Sequence, residues 1–153
     1  MKPGQLEGFA RGDNYSAWGY YGSTKLADLL LSRELQRYFL ASKAQAISAA
    51  AHPGLAATNL VASTTAGRPA WVKAAAASAI RLLGQPAERG ALPLLYAATA
   101  PDVTGSQYFG PAWVFETRGP PAKAARSPLS RSDELGAALV EFVEQVTLVE
   151  APR

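Results

Sequence analysis

Tyr21 and Lys25 stand at i and i+4 in the segment Tyr21-Gly22-Ser23-Thr24-Lys25. On a helix, that spacing puts a phenol and an ammonium on one face, one turn apart. A nearby ammonium favours the phenolate and lowers a tyrosine pKa from its ordinary value of about 10. Such a pair is suited to give and take a proton near neutral pH. The register is defined: Tyr20 has Thr24 at i+4, and Tyr15 and Tyr38 have no lysine at that spacing. A second segment, His52-Pro53-Gly54-Leu55-Ala56-Ala57-Thr58, begins 27 residues after Lys25. It closes an apolar run with a Pro-Gly turn and a hydroxyl, as at the strand ends where open α/β sheets bind ligands.

Other chemistries find less support. His52 is the sole histidine and there is no cysteine. Disulfides and thiolate metal sites are therefore excluded, and no carboxylates cluster in sequence around His52 to complete a metal centre. A serine hydrolase using Ser16 or Ser23 lacks the Gly-x-Ser-x-Gly elbow. His52 is read as a structural residue at a strand end. The net charge of +3, from 15 basic and 12 acidic residues, is too mild to indicate nucleic acid. Arg118, Lys123, Arg126 and Arg131 fall in a Pro/Gly/Ala-rich stretch and read as a solvated loop.

The elements that must position these residues follow from pattern. With 48% hydrophobic and 18% charged residues over 153 positions, the chain can build one globular core. No apolar run of about 20 residues occurs, so no membrane span is predicted. Residues 1–14 are Gly-rich and polar and read as a loop. Asp13 or Ser16 caps a helix over 16–40, in which Leu26, Leu29, Leu30, Arg33 and Arg37 mark out faces at helical spacing and Leu31, Leu35 and Phe39 extend the apolar side. Residues 44–51 are Ala-rich and could be helix by propensity, but the Pro-Gly stop favours a buried parallel strand. Residues 55–68 read as a hydroxyl-rich loop. Pro69 and Gly84 bracket a helix over 69–83. A further helix is predicted over 87–99, a strand over 106–110, a flexible loop over 116–128, and a last helix over 132–146. The fold class is α/β.

Together these features resemble the C-terminal half of a short-chain dehydrogenase/reductase. Asn14-Tyr15-Ser16-Ala17-Trp18 before Tyr21, and Lys25-Leu26-Ala27-Asp28-Leu29-Leu30 after it, are most similar to the retinol-dehydrogenase-like branch. The resemblance implies a partial Rossmann-like, doubly wound domain over residues 1–153. It implies hydride transfer between NAD or NADP and an alcohol/carbonyl substrate. Tyr21 would be the acid/base and Lys25 its activator and ribose anchor. Pro53, Gly54, Leu55 and Thr58 would cradle the nicotinamide, with Leu55 offering backbone groups to the carboxamide. Ala62, Trp71, Val72 and Trp113 would line an apolar substrate pocket.

The family's glycine-rich dinucleotide turn does not occur in these 153 residues, nor do its upstream catalytic Ser and Asn. Gly4, Gly8 and Gly12 follow no predicted strand. The expectation is therefore a truncated enzyme, inactive or marginally stable alone, or a reading frame that starts too late. The rival expectation is a non-catalytic interaction module that forms homo-oligomers through helix 16–40, using Leu29, Leu30 and Phe39. No signal core and no cysteine make the cytoplasm the default location.

Overall fold

The computed structural model describes residues 6–55, 67 and 69–151 of the chain. In chain order the elements are α1 (Leu6–Arg11), α2 (Ala17–Ala41), β1 (Ala50–Ala51), α3 (Ala70–Leu83), α4 (Ala87–Gly90), α5 (Leu92–Thr99), β2 (Tyr108–Trp113), β3 (Arg118–Lys123), a 3₁₀ turn (Leu129–Arg131) and α6 (Asp133–Thr147). They form two compact units. One is helical and holds the chain up to residue 49, residues 104–106, and the chain from 126 on. The other is built on a sheet and holds residues 50–103 and 107–125. The architecture is mixed α/β.

In the helical unit, α2 starts where Ser16 is extended and its carbonyl accepts the Tyr20 N–H. The helix stops because Lys43 turns left-handed at φ 54°. The Ala44 and Lys43 amides then return to the Phe39 and Leu40 carbonyls, satisfying acceptors that the helix end would leave open. Leu30 faces inward and is completely buried among Leu6, Leu135 and Leu139, with Leu26, Ala27, Phe142 and Val143 around them. Ser132 caps α6 by accepting the Leu135 N–H at 3.1 Å, and Asp133 and Glu134 sit in the first turn, where carboxylates suit the helix dipole. Asp133 also accepts from Arg33 and, at 2.7 Å, from Arg37, both on α2. The Arg33 hydrogen bond, then that of Arg37, holds the Asp133 carboxyl below its usual range.

In the sheet unit the strand order is β1-β2-β3. β1 runs parallel to β2, with Ala50 opposite Tyr108, and β2 runs antiparallel to β3, with Phe109 opposite Lys123. Phe109 is buried and stacks against Tyr96 of α5 at 5.2 Å between ring centres. The β2–β3 turn is made by Val114, Phe115 and Glu116, all left-handed at φ 50°, 55° and 61°. Three such non-glycine residues in a row are strained.

Several expectations need correction. The strand read over 44–51 is confined to Ala50–Ala51. Upstream, the Ser48 N–H is taken by the Gln36 side chain at 2.7 Å, so the ladder begins only at Ala50, which donates to Gln107. The flexible loop read over 116–128 contains β3. Its Pro120 and Pro121 are tolerated because β3 is an edge strand and its ladder with β2 is irregular between Pro111 and Trp113. The loop read over 1–14 contains α1, which Leu6 pins into the core. The helix read over 87–99 divides at Ala91, since Pro93 has no N–H and fits only in the first turn of a new helix. The strand read over 106–110 runs from Tyr108 to Trp113.

Two measurements check this packing. Leu30→Ala should destabilise the helical unit by about 2–5 kcal/mol in urea denaturation, the range for emptying a buried leucine site; a loss below about 1 kcal/mol contradicts the burial. Because the Asp133 carboxyl is depressed in the folded state, its contribution is present above the unfolded carboxylate range of about 4. It is lost as pH falls through the lower folded value. Asp133→Asn should therefore lower stability at pH 7 and flatten the acid limb of the stability–pH curve. An acid limb identical to wild type would remove the Arg33–Asp133–Arg37 cluster from the account.

Candidate functional site

The two faces of α2 explain why Tyr21 and Lys25 are presented to solvent. Leu26, Ala27 and Leu30 take the inward face, and Tyr21 and Lys25 fall on the open one. Tyr21 is 47% exposed, with Trp18 edge-on to its ring at 6.1 Å. The Lys25 ammonium lies 5.8 Å from the Tyr21 ring centre. Its hydrogen bond goes to the Asp28 carboxylate at 2.9 Å. That hydrogen bond and the Asp28 charge raise the Lys25 pKa, with burial opposing and Tyr21 adding the smallest share. Lys25 is thus a firm cation at neutral pH. Tyr20 packs against Tyr15 at 4.7 Å and donates to the Asp13 carbonyl, which leaves the Lys25 pairing to Tyr21.

In the sheet unit, the chain leaves β1 at His52 and turns at Gly54. The Gly54 backbone is left-handed at φ 66°, and a Cβ there would meet the Thr117 carbonyl at 2.5 Å and the Glu116 carbonyl at 2.8 Å. Only glycine fits. The Gly54 N–H donates to His52 Nδ1 at 3.2 Å, so a neutral His52 carries its proton on Nε2. Nε2 lies 3.3 Å from Glu116 Oε2, close enough for charge attraction but not aligned as a hydrogen bond. The His52 ring stacks on Tyr108 and covers Gly110, where any Cβ would overlap it. His52 is therefore a structural residue at the strand end.

The Leu55 N–H donates to Thr117 at 2.8 Å, and its carbonyl accepts from the Gln85 backbone at 3.0 Å. Gln85, 5% exposed, also sends its side-chain amide to the Pro53 carbonyl and accepts the Gly119 N–H, both at 3.0 Å. One glutamine thereby fixes the Pro53–Leu55 turn to the β2–β3 hairpin. Nothing in the sequence pattern pointed to Gln85, a lone polar residue between Gly84 and Pro86. Glu116 escaped notice as well; it holds the Ala125 N–H at 2.6 Å and faces His52.

The expected residues are thus distributed as follows. Tyr21 and Lys25 come together in the helical unit; Pro53, Gly54 and Leu55 come together in the sheet unit. Thr58 and Ala62 lie outside the described residues. Trp71 and Trp113 are largely exposed rather than enclosing a pocket. Leu30 is buried inside its own unit and unavailable to a partner, which corrects its place in the expected oligomer interface. Leu31, Leu35 and Tyr38 line instead an open groove of about 670 Å³ against Ala137 and Val140 of α6. Among the described residues no three His, Asp or Glu side chains gather as metal ligands, and no helix is long and apolar enough to cross a membrane.

A phenol and an ammonium one turn apart on an open helix face suit ribose hydroxyls.

No family model matches the chain, and no curated protein is similar to it. Among solved structures, it is similar to the crystal structure of an uncharacterized protein from Mycobacterium Paratuberculosis, at 32% identity and a TM-score of 0.66. The match covers 94% of this chain and 44% of that one. The chain spans less than half the length of that protein and shares its fold over the matched part.

Gln85→Leu should leave the Pro53 carbonyl and the Gly119 N–H unpaired, at about 1–3 kcal/mol for each. Hydrogen exchange at the Gly119 amide should accelerate with it. Unchanged protection of Gly119 would show that the clamp is not formed.

Proposed function

We propose that this chain carries the acid/base part of a nicotinamide-dependent oxidoreductase of the short-chain dehydrogenase/reductase type, in a partial Rossmann-like arrangement. The observation that carries the reading is the Tyr21–Lys25 pair on the open face of α2. The order that follows supports it: a helix, a short parallel strand, and a Pro-Gly turn with a left-handed glycine. The similarity to part of a longer protein agrees with a chain that supplies one portion of a site.

In this reading the Tyr21 hydroxyl gives its proton to a substrate carbonyl oxygen, or takes one from the matching alcohol. Lys25 exchanges its exposed Asp28 contact, a weak class of ion pair, for the cofactor's ribose hydroxyls. It stays cationic while doing so, one helical turn from the Tyr21 hydroxyl. The nicotinamide, NAD or NADP, supplies or accepts the hydride when bound. A small alcohol or carbonyl compound is the substrate class.

A second reading rests on the groove beside Leu31, Leu35 and Tyr38. An open apolar groove between two helices suits a helix of another molecule. The chain would then be an interaction module, and light scattering at rising concentration would report its self-association.

The enzyme reading is tested by calorimetric titration with NADH and NADPH. The wild-type chain should bind at least one of them, and Lys25→Ala should weaken that binding at least tenfold. Tyr21→Phe should retain binding and lower any turnover by about 10²–10⁴, the range for losing a proton-transfer group. Absence of binding by the folded wild-type chain would remove the cofactor role.

A further inference from the structure

After Glu34, no acidic residue occurs until Glu88. Within that span lies α3, whose two charged residues, Lys73 and Arg81, are both basic. Its many alanines favour helix without help from tertiary packing. Helical spacing puts Trp71, Val72, Ala75 and Ala76 on one side and Lys73 and Ala77 on the other. A surface helix ordinarily buries its apolar side against its own protein. Here Val72 and Ala76 are half-buried, Ala75 is exposed, and Trp71 is 73% exposed. No other described element packs extensively on α3.

The composition says what could cover that side. Tryptophan has an apolar body and a polar N–H and is favoured where membrane meets water. A basic charge on the opposite side, with no carboxylate on the helix, is drawn to anionic headgroups without opposing repulsion. The 14 residues of α3 span about 21 Å, suited to lying in the interface plane rather than crossing it. A protein groove would also accept an amphipathic helix, but would need its own carboxylates opposite Lys73. An anionic lipid surface answers both the tryptophan and the one-signed charge.

We propose that α3 docks the sheet unit on an anionic lipid surface, with Trp71 entering the headgroup boundary and the charge of Lys73 meeting lipid phosphates. This docking does not depend on nicotinamide chemistry, and neither proposal stands or falls with the other.

The test uses the full chain with Trp18→Phe and Trp113→Phe, leaving Trp71 as the single reporter. It is mixed with vesicles of phosphatidylcholine alone, or of phosphatidylcholine with phosphatidylserine. With phosphatidylserine present, the Trp71 emission should shift to the blue and be quenched by brominated acyl chains. The protein should sediment with those vesicles and be released by salt. Lys73→Ala should weaken binding about fivefold, the effect of one basic residue near such a surface, and Trp71→Ala should weaken it further. Both side chains are exposed, so the fold should survive, as circular dichroism would show. Failure to bind either vesicle, equal binding to both, or a blue shift carried by Trp113 in a Trp71→Phe chain would each overturn the proposal.

Discussion

Leu30 settles the orientation of α2, and the candidate chemistry depends on that orientation. With Leu30 wholly buried against Leu135 and Leu139, the helix cannot rotate without drawing Leu30 into water. Burying such a side chain is worth about 1.5–3 kcal/mol. Tyr21 and Lys25 lie nine and five residues before Leu30, and so inherit the face opposite to the core. Arg33 and Arg37 fix the same rotation from the solvent side through Asp133. An apolar anchor and a polar clip thus define a single angle at which the helix can sit.

The sheet unit solves a different problem. Its sheet is small, and β1 contributes two residues. So short a strand cannot hold the following turn in place through its ladder alone. Gln85 supplies what the ladder lacks, tying Pro53, Leu55 and Gly119 together from one buried position. Gly54 is the counterpart of this clamp, since the carbonyls drawn in around it leave no room for a side chain. His52, held between Gly54 and Glu116 and stacked on Tyr108, completes the strand end. The turn is rigid by hydrogen bonding rather than by apolar burial.

The three long helices were legible because apolar spacing and capping or bracketing residues are local signals. α2 and α6 match their predicted bounds within a residue or two, as does α3. β3 was not legible, and β1 was read too long, for opposite reasons. The Pro-Gly stop after residues 44–51 suggests a strand throughout, yet the Ser48 N–H goes to the Gln36 side chain, twelve residues away in sequence. β3 has the Pro and Gly of a loop, yet an edge position accepts them. At the candidate site, the Tyr21–Lys25 pair could be read from spacing alone. Asp28 could have been, since it stands at i+3 from Lys25 and competes for the same ammonium. Gln85 could not, because its three partners are brought to it only by the fold.

In the proposed function, the open face of α2 receives a nicotinamide nucleotide at Tyr21 and Lys25. The most direct measurement is a carbon-13 NMR titration of the tyrosine rings and lysine ε-methylenes with reduced nicotinamide mononucleotide. This ligand carries the nicotinamide and its ribose without the adenosine half. The account predicts that the Tyr21 and Lys25 signals move along one saturable isotherm while Tyr38 and Lys43, toward the other end of α2, stay in place. Stationary Tyr21 and Lys25 signals, or equal movement at Lys43, would contradict it.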